Sequence, residues 1–239
     1  MESKIKKLLK MSSHPVAVFR TDDEPQGQYV QFKEGTWGCS VALLSAASRG
    51  RTAVFTKKTA TCMGSKAGLG FAEFKPGYIE YFLSTGNDKI KNAEAYKKTP
   101  ELALDFIKSM PRVKAKKYLV FKPLEEIAAP EEPEIIVFIV NPDQLSALAV
   151  LANYDQASQD NVELRFGAGC AQAILYALKH YEDGSPKCTV GLTDISARKC
   201  IGKDELSFSM PYYRFLALEE QAEESFLTKR DWQIVAKRI

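Results

Sequence analysis

Two stretches far apart in this chain resemble one another, and each contains a cysteine. Residues 30–44 read VQFKEGTWGCSVALL and residues 162–175 read VELRFGAGCAQAIL, with one residue skipped to keep the register. The pairs Gly38-Cys39 and Gly169-Cys170 fall at matching places. Further along, Cys62-Met63-Gly64 is matched by Cys200-Ile201-Gly202. Such an internal repeat predicts two similar halves and brings four thiols toward a common pseudo-two-fold axis.

The predicted fold is α+β and internally duplicated, with two similar α/β halves. The span 123–133 contains three prolines and four glutamates, which discourage a regular element, so it is predicted to be a linker. The first half is then residues 1–122 and the second is residues 134–239. The two halves can still form one compact domain.

Local patterns predict the individual elements. Residues 15–20, 29–33, 52–55 and 78–83 read as strands in the first half, and residues 100–110 read as a helix capped by Thr99. In the second half, strands are expected at residues 135–140, 162–166, 188–192 and 206–210. Helices are expected from Asn141, a capping residue followed by proline, and from Cys170 to His180.

Length and charge exclude several classes of protein. The 239 residues, 45% hydrophobic and 26% charged, suit an ordinary globular chain rather than a disordered one. A formal charge of +3 gives no argument for binding nucleic acid or a membrane surface. The start of the chain has lysines without a long apolar core, and no stretch approaches the ~18 apolar residues of a membrane span. The expected location is the cytoplasm.

The five cysteines carry the strongest chemical signal. A reducing compartment disfavours structural disulfides, so free thiols, metal ligation and redox chemistry are the candidate roles. Cys39 and Cys170 begin helices, whose N-terminal dipole is expected to lower the pKa of a thiol. Cys62 and Cys200 lie in loops rich in lysine and arginine, which also favour the thiolate. A buried cysteine is often only a small hydrophobic residue, and that is the interpretation for Cys188.

If the four repeated cysteines converge, their spacing bears on the metal. Structural zinc sites usually contain close pairs such as Cys-x-x-Cys, and the chain has no such pair. Single ligands from four separate loops suit an iron–sulfur cluster better, although the short-spaced ferredoxin run is also absent. A cluster held by only three cysteines would leave one iron open to substrate and point to catalysis.

Two further hypotheses stay open. In one, the cleft between the halves binds a small anionic ligand without metal, using Gly38, Gly64 and Gly169 together with the cations Lys66 and Arg198. In the other, two cysteines act as a redox pair within disulfide reach, with Cα atoms less than ~7 Å apart. The glycine-rich residues 64–70 lack the spacing of a phosphate-binding loop and are expected to be a flexible loop.

The residues also resemble a known family. The motifs are Pro15-Val16-Ala17-Val18, Gly38-Cys39, Cys62-x-Gly64 with Gly68-x-Gly70, Asn141-Pro142-x-Gln144, Cys170-Ala171, Ala197-Arg198 and Met210-Pro211. Together they look like domain-of-unknown-function family 169, the ArCR family of archaea and anaerobic bacteria. The resemblance spans nearly the whole chain and implies a cytosolic prokaryotic protein, in a setting that favours iron–sulfur chemistry. It is closest at Cys39, Cys62 and Cys170, so a three-cysteine site stays open.

Overall fold

The fold is built on one mixed β-sheet that runs through both halves of the sequence. A computed structural model describes residues 2–239, which contain seven strands in the spatial order β2-β3-β1-β4-β7-β6-β5. The strands are β1 (Val16–Thr21), β2 (Ala53–Thr56), β3 (Tyr118–Pro123), β4 (Ile135–Val140), β5 (Val162–Leu164), β6 (Cys188–Gly191) and β7 (Leu206–Pro211).

Helices cover both faces of this sheet. One face packs against α2 and α7, and the other packs against α1, α6, α8 and α9. Each face has its own hydrophobic core, because successive side chains of the buried strand β4 point in opposite directions. The helices are α1 (Lys4–Leu8), α2 (Ser40–Ser48), α3 (Met63–Gly68), α4 (Ile79–Phe82), α5 (Pro100–Ser109), α6 (Pro142–Leu151), α7 (Tyr176–Glu182), α8 (Tyr212–Gln221) and α9 (Arg230–Val235).

The two halves of the sequence pair their strands in the same order. At the centre of the sheet β1 and β4 are antiparallel neighbours. Outward from β1 come β3 and then β2, and outward from β4 come β7 and then β6, with every one of these pairs antiparallel. At the outer edge β5 runs parallel to β6, and Val30 forms a parallel bridge to Ala53 of β2 at the corresponding place.

Strong local signals gave correct elements. The strand at residues 135–140 is confirmed and is wholly buried. The start of α6 is a complete capping box, in which the Asn141 side chain accepts from the Gln144 N–H and the Gln144 side chain accepts from the Asn141 N–H. The Thr99 cap of α5 is also present. These elements are specified by neighbouring residues, so the sequence alone identifies them.

Two predicted strands of the first half are wrong. Residues 78–83 form the short helix α4 instead, in which Glu80 accepts a hydrogen bond from the Gly77 N–H at 2.7 Å and so satisfies a free donor near the helix start. Residues 29–33 contribute only the single bridge at Val30. Helix α4 packs against α5, and Val30 and Phe32 pack against the hydrophobic core of the α2/α7 face.

The proline-rich span between the halves lies between two strands of the same sheet. Pro123 ends β3, and a 3-10 turn at Leu124–Glu126 follows directly. The sheet continues from β3 through β1 into β4 on the far side of this span. Within residues 2–239, none of the helices has the length and apolar character that crossing a bilayer requires.

Candidate functional site

Four of the five cysteines meet at one place on the α2/α7 face. Cys39 is the residue before α2 and Cys62 is the residue before α3. Cys170 begins the helical segment that leads into α7, and Cys200 ends a 3-10 turn, Ile195–Cys200. The Cys39 thiol lies within interaction range of the thiols of both Cys62 and Cys200, and Cys170 lies near Cys39 and Cys62. All are free thiols.

The predicted glycines allow this convergence by leaving room. A side chain on Gly64 would lie 3.7 Å from the Cys170 sulfur and 4.0 Å from the Cys62 sulfur, so Gly64 sits against both. A Cβ on Gly169 would come within 2.5 Å of the Ala197 Cβ, and one on Gly38 within 2.6 Å of a backbone carbonyl. Gly38 and Gly169 therefore have no space for a side chain, whereas a Cβ on Gly64 would make only ordinary contacts.

The two predicted cations, Lys66 and Arg198, do not lie against the sulfurs as the glycine Gly64 does. The Arg198 guanidinium donates to the backbone carbonyls of Gly202, Lys203 and Glu205, and it thereby fixes the loop that follows Cys200. Lys66 is half-buried in α3 and lies outside the wall of the adjacent cavity. The lysine in that wall is Lys199, whose ammonium lies 5.2 Å from the centre of the Trp37 ring.

The four thiols differ in their acidity. Contact with the Cys39 thiol, which can donate a hydrogen bond to a neighbouring thiolate, lowers the pKa of Cys200 to about 7, and the charge of Lys199 adds to this. The same contact with Cys200 raises the pKa of Cys39. Contact with Cys39 raises the pKa of Cys62, and burial raises the pKa of Cys170. The expectation that helix starts acidify Cys39 and Cys170 is wrong, because these contacts and burial outweigh the dipole.

Asp194 links the cysteine segments by hydrogen bonds. Its carboxylate accepts from the Gly169 N–H at 2.7 Å, from the Ser196 N–H and hydroxyl at 3.0 Å, and from the Tyr96 hydroxyl at 3.2 Å. The side chain is buried, and a buried carboxylate needs several donors. Asp194 thus ties the Cys170 and Cys200 segments of the second half to the first half through Tyr96.

A cavity of about 390 Å³ opens beside the sulfurs. Cys39, Cys62 and Cys170 lie in its wall, whereas Cys200 lies outside the wall. Seven aromatic side chains complete the wall: Trp37 and Phe166, together with a group from the long connection between β2 and β3, namely Phe74, Tyr78, Phe82, Tyr96 and Phe106. Sequence reasoning missed this cavity, and the only available signal was the aromatic content of residues 71–106.

Glu94 is the second carboxyl group in the cavity wall. Burial raises the pKa of this carboxyl, the charge of Asp194 raises it further, and Lys199 lowers it. The polar part of the cavity is therefore mixed in charge, with two carboxyl groups and one ammonium.

The thiols lie near one another, but their sulfur atoms do not have the arrangement of ligands around a metal ion. Throughout residues 2–239, no group of three or more His, Cys, Asp or Glu side chains stands in the arrangement of a metal-ion site. The donor chemistry fits a thiophilic metal, since four sulfurs from separate segments are in or near contact. Binding would require deprotonation and small side-chain rotations.

Comparison with known proteins identifies the family and no characterised relative. The family model described as uncharacterised ArCR, domain-of-unknown-function family 169, matches residues 4–221 of the 239. No curated protein and no solved structure matches the chain. Because the match covers most of its length, the chain belongs to the ArCR family, and the resemblance seen in the sequence motifs is confirmed.

Proposed function

We propose that this ArCR-family chain binds a thiolate-ligated metal centre, with an iron–sulfur cluster as the first choice, and uses it in a redox or catalytic role. The ligands are Cys39, Cys62, Cys170 and Cys200. The observation that carries the proposal is their convergence: four free thiols from four separate segments meet at one site. Hydrophobic burial alone gives no reason for such a gathering, because Cys188 is buried in β6 apart from the group.

The surroundings of the sulfurs support a cluster. Gly64 lies against two sulfurs without a side chain of its own, which leaves space for a group larger than a proton. Ligands drawn singly from four segments suit an iron–sulfur cluster better than zinc, whose sites usually use close pairs, although the short-spaced ferredoxin run is also absent. An iron–sulfur cluster would supply one-electron chemistry or an open iron. The four cysteines would hold the cluster, and the apolar side chains of the cavity wall would keep water away from it.

The position of the cavity favours catalysis over simple electron transfer. Three of the four cysteines line the cavity, and Cys200 lies outside its wall. A centre held by Cys39, Cys62 and Cys170 alone would have an open position beside a space large enough for a small molecule. We therefore keep both the three-cysteine and the four-cysteine forms of the site.

We also propose that the two halves arose by internal duplication and are related by a pseudo-two-fold axis between β1 and β4. Two independent observations support this. The sequence echo aligns Cys39 with Cys170 and Cys62 with Cys200. The strand pairing repeats in the same order outward from the centre of the sheet, including the parallel partner at each edge. Each half then supplies two of the four thiols.

The proposed location is the cytoplasm of a prokaryotic cell. Five free cysteines, several of them in contact with one another, suit a reducing compartment. The formal charge of +3 offers no basis for nucleic acid or membrane partners. A small-molecule substrate or a redox protein is the expected partner.

A metal-free binding module is the second candidate, and the 390 Å³ cavity favours it. In this case the cysteines are wall residues, and an anionic ligand would depend on Lys199. Replacing Cys39 and Cys170 by serine would then leave ligand affinity nearly unchanged. A thiol redox enzyme using Cys39 with Cys62 or Cys200 is a third candidate, supported by their contacts.

The test is anaerobic purification and reconstitution of the full chain, followed by iron, sulfide and zinc analysis and visible absorption spectroscopy. We expect iron and sulfide together, with a sulfur-to-iron absorption band. Cys39→Ala should lose both, since Cys39 contacts two of the other thiols. Cys188→Ala is the matched control and should retain them.

Other outcomes decide between the candidates. Zinc without sulfide would support a thiolate-ligated metal site and exclude the iron–sulfur cluster. A colourless, metal-free protein after reconstitution would overturn the proposal. A disulfide between Cys39 and Cys62 or Cys200 in that protein would favour the thiol redox enzyme instead.

A further inference from the structure

The wall of the cavity next to the cysteines contains seven aromatic rings, several of which pack on one another. Phe166 meets Phe106 edge to face, with ring centres 4.9 Å apart, and meets Tyr96 at 6.3 Å with an interplanar angle of 87°. On the neighbouring part of the wall, Tyr78 and Phe82 are stacked at 5.9 Å. Aromatic walls of this kind present both ring faces and ring edges, which are the surfaces that a flat aromatic guest contacts best.

This space differs from a loosely packed core. Protein interiors rarely contain voids larger than a water molecule, whereas small-molecule pockets have volumes of roughly 300–1,000 Å³. The cavity, at about 390 Å³, lies in the second range. Several of its rings are also unusually exposed for aromatic residues, with 56% of Trp37, 44% of Phe166 and 41% of Tyr78 accessible. A ligand in the cavity would cover apolar surface that is now exposed to water.

The polar groups of the cavity decide the charge of the guest. Asp194 already accepts from several donors, and Lys199 lies over the Trp37 ring. The Glu94 carboxyl, by contrast, makes no hydrogen bond with any other group in residues 2–239. It is therefore available to a ligand, as is the Lys199 ammonium, which also makes no hydrogen bond within residues 2–239. With two carboxyl groups and one ammonium in the wall, an uncharged molecule with one hydrogen-bonding group fits best.

We infer that this cavity binds a small, flat, uncharged aromatic molecule whose hydroxyl or similar polar group hydrogen-bonds to Glu94. Its aromatic body lies in the cavity against the rings of Phe106, Phe166 and Tyr96. The pocket itself follows from the wall alone. The further role of this molecule as the substrate of the centre at the cysteines rests on the proposed function.

The probe is 2-naphthol, compared with 2-naphthoate and with the saturated alcohol decahydro-2-naphthol, in ligand-observed NMR and calorimetry on the full chain. We expect 2-naphthol to bind at least tenfold more tightly than either comparison compound. Equal binding of the saturated alcohol would overturn the aromatic part of the inference. Tighter binding of 2-naphthoate would overturn the uncharged part and favour the anionic ligand.

Three variants locate the binding. Phe166→Ala should weaken 2-naphthol at least tenfold, while Tyr154→Ala, which removes a similarly exposed ring outside the cavity, should leave it unchanged. Glu94→Gln keeps the shape and removes the charge, so it should narrow the preference for 2-naphthol over 2-naphthoate. Unchanged binding in both cavity variants would overturn the assignment. Thermal unfolding of each variant checks that it folds.

Measurements on metal-free and reconstituted protein separate the two proposals. Binding of 2-naphthol without any metal uptake would keep the pocket and remove the substrate role. Metal uptake without 2-naphthol binding would overturn the pocket and leave the metal proposal standing. A change in the visible spectrum of the reconstituted protein on adding 2-naphthol would support both.

Discussion

The two halves of the sheet share their strand pairing, but one face of the sheet carries apolar side chains in the first half and hydroxyls or glycine in the second. Val16 pairs with Pro123 in the first half, as Ile135 pairs with Pro211 in the second. Counted from these prolines, the fully buried Phe121 corresponds to Ser209. Four positions on this face correspond in this way. In the first half they are the apolar residues Ala53, Phe55, Leu119 and Phe121, and in the second half they are Thr189, Gly191, Ser207 and Ser209, which carry a hydroxyl or no side chain.

The difference shows that one strand arrangement can be packed in two ways. In the first half large side chains fill the space, and Phe55 packs edge to face on Phe71 at 5.6 Å. In the second half the backbone comes close instead, because Gly191 lies against Gln172 at the start of the helical segment. The connections differ as well: residues 57–117 contain five of the seven aromatic side chains of the cavity wall, whereas residues 192–205 contain none of them and supply Asp194, Lys199 and Cys200 to the site.

The largest effect is expected from exchanging a large residue for a small one in the first half. Phe121→Ala leaves a cavity under a fully buried ring and should lower the free energy of unfolding by about 3–5 kcal/mol. Ser209→Ala, at the corresponding place, should cost less than about 1 kcal/mol, since its hydroxyl makes one long hydrogen bond of 3.4 Å. Urea unfolding measures both, and equal losses would contradict the contrast between the halves.

The second prediction concerns the close approach in the second half. A Cβ on Gly191 would lie 2.7 Å from the Ser207 hydroxyl and 2.8 Å from a backbone carbon of Gln172. Gly191→Ala should therefore lower the free energy of unfolding by about 1–3 kcal/mol through overpacking. Gly68→Ala is the control, because no atom lies within 4 Å of its Cβ and α3 should gain up to about 1 kcal/mol. A neutral Gly191→Ala would show that the helix can move away.

A smaller effect is expected from the buried hydroxyls that replace apolar groups in the second half. Thr189 Oγ1 is buried with no hydrogen-bond partner among residues 2–239. Thr189→Val keeps the shape and removes this cost, so the free energy of unfolding should rise by about 1 kcal/mol. Thr59→Val should instead lower it by about 1 kcal/mol, because the Thr59 hydroxyl accepts from the Thr56 N–H at 3.1 Å. A fall for Thr189→Val would mean that its hydroxyl has a partner in solution.

A further prediction concerns the pH dependence that one ion pair of the second half contributes. Three residues after Pro211, Arg214 binds Asp155 at 2.6 and 2.8 Å and lowers the pKa of that carboxyl to about 2. Since the folded pKa lies below the ordinary value of 3.8, the pair stabilises the fold above about pH 4 and stops doing so as the pH falls toward 2. Urea unfolding across this range should show a shallower fall for Asp155→Asn. A fall identical to that of the parent chain would contradict it.

The parts of this molecule that the sequence predicted are those with local causes. The apolar run of β4 and the capping box at Asn141 need only their neighbours, and both are confirmed. The predicted strand at residues 78–83 was wrong because a short apolar run fits a strand or a buried helix equally well. The link from Asp194 to Tyr96 joins residues far apart in the chain, which no local pattern records.

The cysteine site shows the same division. The repeat predicted that Cys39, Cys62, Cys170 and Cys200 lie together, because matched positions in two similar halves would converge on one axis. Their acidity did not follow from the helix starts. It depends on burial and on which thiol touches which, and both arise only when distant segments meet. The aromatic wall was missed for the same reason.

The ladder between β1 and β4 has consequences for how the molecule comes apart. It contains three residue pairs, against six in the ladder on each side of it. The contacts of Cys39 with Cys200, and the approach of Cys62 to Cys170, span this short ladder from one half to the other. A metal bound there would act as a cross-link that closes a long loop of chain, and its loss would free that loop's entropy. Amide exchange along β1 and β4 would then report the state of the sulfurs.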